Sequence, residues 1–125
     1  MTRRRGYTLP EDEPDARQHK RIAFLNDVLR RSLGVIGGRM VMTRSVAMLS
    51  DDERLAILRA LATFDDFDED NDPHGEHDCA RFTAAGHACL FRVDYYDNDM
   101  RYASDDPADE AQTKRVLTLM LAEDY

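Results

Sequence analysis

Asp65-Asp66-Phe67-Asp68-Glu69-Asp70-Asn71-Asp72-Pro73-His74-Gly75-Glu76-His77-Asp78 divides this 125-residue chain into two parts with different periodicities. The run is too polar for a core and too dense in carboxylates for a neutral linker, and Pro73 and Gly75 mark it as a loop. Upstream, apolar residues recur at helical spacing; downstream they alternate at the period of a strand. That change predicts an α+β domain, with a small antiparallel sheet of three to four strands packed against about three helices.

Working back from the loop, Ser50-Asp51-Asp52-Glu53 fits a capping box and opens a helix over 51–64 that buries Leu55, Leu58, Leu61 and Ile57. A short strand is expected over 39–43, behind a turn at Gly37-Gly38. Ile22, Leu25, Leu29 and Leu33, widened by Val28, form the stripe of a helix over 16–33 that Gly34 stops. Residues 1–15 have no periodicity and read as an N-terminal arm, leaving 16–125 as a single domain.

Working forward, 79–82 and 87–96 read as a hairpin across Ala85-Gly86, with Cys89, Phe91, Val93 and Tyr95 on the core face. A turn at Asp97-Asn98-Asp99 would return 100–103 as a further strand. Asp106-Pro107 looks like a helix start, so 107–122 is expected to be helical, with Val116, Leu117, Met120 and Leu121 inward. In the hairpin register Phe82 faces Cys89 and Cys79 points to the other side. A slip of one or two residues would bring the thiols together, so a disulfide stands as an alternative to two small buried hydrophobes in a reducing compartment.

The formal charge is −8, but residues 65–110 hold fifteen carboxylates against Arg81, Arg92 and Arg101, a local charge of −12 that leaves +4 on the rest. Such a field opposes direct nucleic-acid binding and favours a basic partner, a cation or plain solubility. The apolar runs are too short to span a membrane, and Arg3, Arg4 and Arg5 precede no secretory h-region, so a cytoplasmic protein is expected.

Two chemistries fit. His74-Gly75-Glu76-His77-Asp78 offers mixed nitrogen and oxygen donors suited to zinc, manganese or iron, with Asp94 or Asp97 able to join if the strand end folds alongside. Calcium-loop spacing fails: a loop begun at Asp66 has Asn71 where glycine belongs, and one begun at Asp70 ends on Arg81. The same side chains can instead bond loop amides and fix a turn. Alternatively the acidic surface, Asp66, Asp68, Glu69, Asp70, Asp97 and Asp99 with Tyr96 as an anchor, presents a phosphate-like array to a basic groove. No catalytic constellation is complete, so the expectation is a protein-binding module; the alternative is a metal-binding protein or metal-dependent hydrolase using His74–Asp78.

Several segments together, Arg21-Ile22-Ala23-Phe24-Leu25-Asn26-Asp27, the run Phe64 to Asp78, Asp94-Tyr95-Tyr96-Asp97 and Leu117-Thr118-Leu119-Met120-Leu121-Ala122-Glu123, resemble a family of small bacterial proteins of unknown function. That family is met on plasmids and other mobile elements. The resemblance implies no activity, cofactor or catalytic residue. Its setting implies a small anti-defence protein that occupies the basic groove of a host nucleic-acid-handling protein, such as a nuclease or CRISPR complex, as a DNA mimic.

Overall fold

The computed structural model describes residues 14–125; the expected arm lies outside that range except for its last two positions, which open the first helix. α1 (Pro14–Arg31) begins where proline's fixed φ and missing N–H suit a first turn, and it buries Ile22, Leu25 and Leu29. Leu33 (φ 52) and Gly34 (φ 85) end it, their amides donating back to the carbonyls of Arg30 and Leu29. β1 (Arg39–Met42) follows the glycine pair, and a short α2 (Arg44–Ala47) sinks Val46 into the core.

In α3 (Asp51–Thr63) the capping box is formed in both directions. His87 and then Ser50 bond the Glu53 carboxylate, His87 at 2.6 Å, holding its pKa down at about 2. Ile57 and Leu61 are fully buried. Leu55, expected among the buried residues, is 47% exposed. Two positions from Ile57 is a rotation of about 200° around a helix, so packing through Ile57 and Leu61 turns Leu55 to water.

β2 (Cys79–Ala84) and β3 (His87–Tyr96) form the expected hairpin, with Phe82 opposite Cys89. Ala85 (φ 51) and Gly86 (φ 78) both adopt the left-handed turn conformation that matches strand twist. Both cysteines are free thiols.

The segment expected to be a helix over 107–122 is instead turns followed by β4 (Lys114–Leu121). Val116, Leu117, Met120 and Leu121 fit a helical stripe, but Arg115, Leu117, Leu119 and Leu121 alternate inward at strand period, and all four are buried. A near-continuous apolar run is what a central strand needs, and β4 is central: the sheet order is β1-β4-β3-β2, with β1 and β4 parallel and the other pairs antiparallel. Asp106-Pro107 opens turns closed by Asp109 N to Asp106 O and Gln112 N to Asp109 O. Nor is 100–103 a strand, since a single bridge joins Tyr96 to Ala103. The chain closes on a 3-10 turn (Ala122–Asp124) whose Asp124 carboxylate accepts from Thr43 and Ser45 hydroxyls at 2.7 Å each.

Among the described residues the result is an α+β fold of three helices and a four-stranded sheet. Leu29, Val46, Ile57 and Leu61 from the helices pack on Cys89, Phe91, Val93, Leu117, Leu119 and Leu121 of one sheet face. Arg39, Arg81, Arg92 and Thr118 lie on the other face, by register. Truncating Leu117, fully buried in the central strand, to alanine should cost about 3 kcal/mol of unfolding free energy in urea melts, against roughly 1 kcal/mol for Ser50→Ala at the α3 cap.

Candidate functional site

The acidic loop is ordered from within. Asp68 Oδ1 accepts from the amides of Asp70 and Asn71 at 2.9 Å each, while the Asn71 side chain bonds Asp68 N and Asp66 O. Asp72, 7% exposed, accepts from the amides of Glu76 and His77 at 3.1 Å each. Gly75 (φ 68) and His77 (φ 55) supply the two left-handed residues that bend the chain around it.

Behind the loop lies α1. His77 donates through Nδ1 to the Asp27 carboxylate (2.9 and 3.1 Å), places Nε2 3.7 Å from Asp72 Oδ2, and stacks on Phe67 at 4.0 Å. Asp27 also accepts from Arg30 at 2.8 Å. Arg30 is fully buried, donates to the Phe64 carbonyl at 2.9 Å and lies against the rings of Phe67 and Phe91. Its Nε is the one buried side-chain polar atom without a partner among the described residues.

A second set of bonds runs beside it. Asn26, fully buried, donates to Tyr95 Oη (2.8 Å) and the Glu76 carbonyl (3.0 Å), and accepts from Arg115 Nε (2.9 Å). Tyr95 donates to the Glu76 carboxylate at 3.1 Å, and burial pushes its phenol far above the ordinary range. Burial, then the neighbouring Glu76, raises the Asp78 carboxyl.

The candidate site residues therefore separate. Glu76 and His77 turn inward onto α1 and Tyr95, Asp78 is half-buried, and His74 is exposed with its ring 6.1 Å from His19. Asp94 and Asp97, expected to join them, are engaged elsewhere: Asp94 pairs with Arg92 at 3.1 Å, and Asp97 accepts from the Arg101 amide in the following turn. Among the described residues no three His, Cys, Asp or Glu side chains gather in a metal-holding arrangement. Asp66, Asp68, Glu69, Asp70 and Asp99 are exposed, and Tyr96 and Asp97 are partly covered. Missed were Asn26, Asp27, Arg30 and Arg115. The available signal was a polar pair, Asn26-Asp27, within the apolar stripe Ile22, Leu25, Leu29.

This geometry defines a small α+β domain with an acidic loop clasped by a helix. Residues 42–124, about two thirds of the chain, match the DUF3768 family, described as a protein of unknown function, and the chain belongs to it. The match starts at the end of β1, so α1, with Asn26 and Asp27, lies before it. No curated protein and no solved structure matches the chain.

Two outcomes follow from the clasp. Arg30→Ala leaves Asp27 without one of its two side-chain donors and should cost about 3–5 kcal/mol by chemical denaturation, whereas Arg30→Met, which keeps the volume, should cost less. Because the folded state raises the Asp78 pKa, its ionisation opposes folding once pH exceeds the folded value, and the opposition disappears below the unfolded value of about 3.9. Asp78→Asn should therefore raise the melting temperature at pH 7, with a gain that vanishes as pH falls below that value.

Proposed function

We propose that this protein is a non-enzymatic binding module that docks the stretch Asp65–Asp70 against a basic protein groove. The observation that carries the reading is the division of the loop. Asn71, Asp72, Glu76 and His77 hold it from inside, while Asp65, Asp66, Asp68, Glu69 and Asp70 face outward with no ion-pair partner among the described residues. A rigid array of five carboxylates within six positions loses little conformational entropy on binding and attracts a cationic surface over a Debye length of about 8 Å. The groove of a nucleic-acid-handling protein has the complementary charge, and occupying it would make the chain a nucleic-acid mimic. An anti-defence role for a mobile element, exercised in the cytoplasm, is the setting this reading implies. Among the described residues no helix is long and apolar enough to cross a membrane. Asp97, Asp99 and Tyr96 would extend the contact from the far end of β3.

A second reading, a divalent metal site or metal-dependent hydrolase at His74–Asp78, is favoured by His19, whose Nε2 lies 3.5 Å from Glu76 Oε2 and beside the His74 ring. It predicts that chelator lowers the melting temperature and that Glu76→Ala abolishes the effect.

The docking reading is tested with Asp66→Asn/Glu69→Gln/Asp70→Asn, which spares Asp68 because that side chain organises the turn. Partner captured from host lysate should be lost in high salt, and with the captured partner purified the triple variant should associate on the order of tenfold more slowly at an unchanged melting temperature. Capture that ignores both salt and these charges would falsify it.

A further inference from the structure

Chain charge hides a local reversal at the start of the parallel strand pair. Where β1 and β4 begin, a cleft of about 490 Å³ opens between Gly37-Gly38 and the β4 entry, within the size range of small-molecule sites. Three cations line it, Arg39, Lys114 and Arg115. Arg39 and Lys114 are exposed and have no carboxylate partner among the described residues. Glu110, also in the lining, is bonded to Arg21 at 3.1 Å.

Arg115 anchors the β4 side of the cleft, its side chain turned to the helix-covered face of the sheet and away from Arg39 and Lys114. It is 2% exposed, its guanidinium lies 5.2 Å from the Tyr95 ring centroid, and Nε and Nη2 are fixed by Asn26 Oδ1 and the Pro107 carbonyl. Opposite, a Cβ at Gly38 would meet the Arg115 carbonyl oxygen at 2.4 Å, so only glycine lets the two backbones approach this closely. The glycine pair also puts no side chain into the mouth, and its amides have no hydrogen-bond partner among the described residues.

A guanidinium, an ammonium and free amides lining one space are what a phosphate recognises. The volume exceeds what inorganic phosphate fills, and Met100, 42% exposed, gives the lining an apolar side. We infer that this cleft binds a small phosphorylated organic molecule of nucleotide size, its phosphate on Arg39 and Lys114 and its organic part against Met100. The acidic loop contributes nothing to this cleft, so the inference stands apart from the docking reading.

The test is calorimetry and thermal shift on the full chain with ADP, pyrophosphate, adenosine, sulfate and phosphatidylglycerol vesicles. ADP and pyrophosphate should bind saturably and raise the melting temperature, adenosine should not, and sulfate should bind more weakly. Arg39→Ala and Lys114→Ala, at exposed side chains, should each weaken ADP at least tenfold without changing the melting temperature of the free protein. If either fails to fold, Arg39→Gln and Lys114→Gln replace them. The idea is overturned by no binding of ADP or pyrophosphate, by affinity that the variants leave intact, by sulfate binding as tightly as ADP, or by retention on vesicles alone.

Discussion

Arg30 is a guanidinium taken wholly out of water in a small protein, and four parts of the structure meet around it. It sits on α1, bonds Asp27 one turn back, reaches the carbonyl of Phe64 where α3 ends, and is flanked by Phe67 of the loop and Phe91 of the sheet. Removing such a charge from water costs several kcal/mol unless its donors are satisfied and its charge balanced. Asp27 balances it and at the same time receives the His77 imidazole, so one carboxylate ties two segments together. Lifting the loop off α1 would break the His77 bond and take Phe67 off the Arg30 guanidinium. The loop's outer carboxylates are therefore displayed from a fixed frame, although a run this acidic would by itself favour an extended, solvated chain.

How much could be read in advance depends on whether the deciding contact is local. Ser50 and Glu53 are three residues apart and formed their box as expected; Ala85-Gly86 turned the hairpin in the expected register. β4 was misread because Val116-Leu117-Thr118-Leu119-Met120-Leu121 satisfies both a helix and a buried strand, and Asp106-Pro107 imitates a helix start. What decides it is non-local: β3 needs a second partner, and β1, four residues long, needs a neighbour. The site divides the same way. The loop was legible from its carboxylates, but its partners Asn26, Asp27 and Arg30 stand 34 to 50 positions earlier, where only their polarity within an apolar stripe marked them.

Charge is partitioned by fold. The chain is acidic in total, yet Arg39, Lys114 and Arg115 gather where the parallel strands begin, and Arg81 and Arg92 share the sheet face away from the helices. Asn26 links the two regions physically. One amide nitrogen bonds the Glu76 segment and Tyr95, while its oxygen holds Arg115. A change in either region thus meets the same fully buried side chain, in a packed interior that transmits displacement with little compliance.

The position of β4 has a consequence for assembly of the sheet. The last of the described strands in chain order lies in the middle of the sheet, bonded to β1 on one side and β3 on the other, with Arg39 opposite Val116 and Tyr96 opposite Lys114. Until β4 has joined, β1 has no partner and β3 presents an open edge, so a partly folded chain can hold the helices and one hairpin but not the core. Closing contacts of such long sequence separation is slow, and an unpaired apolar edge in the interim invites association with other chains. Docking of β4 is thereby the decisive step in closing the core, and a chain cut before Lys114 would lose the centre of the sheet rather than its margin.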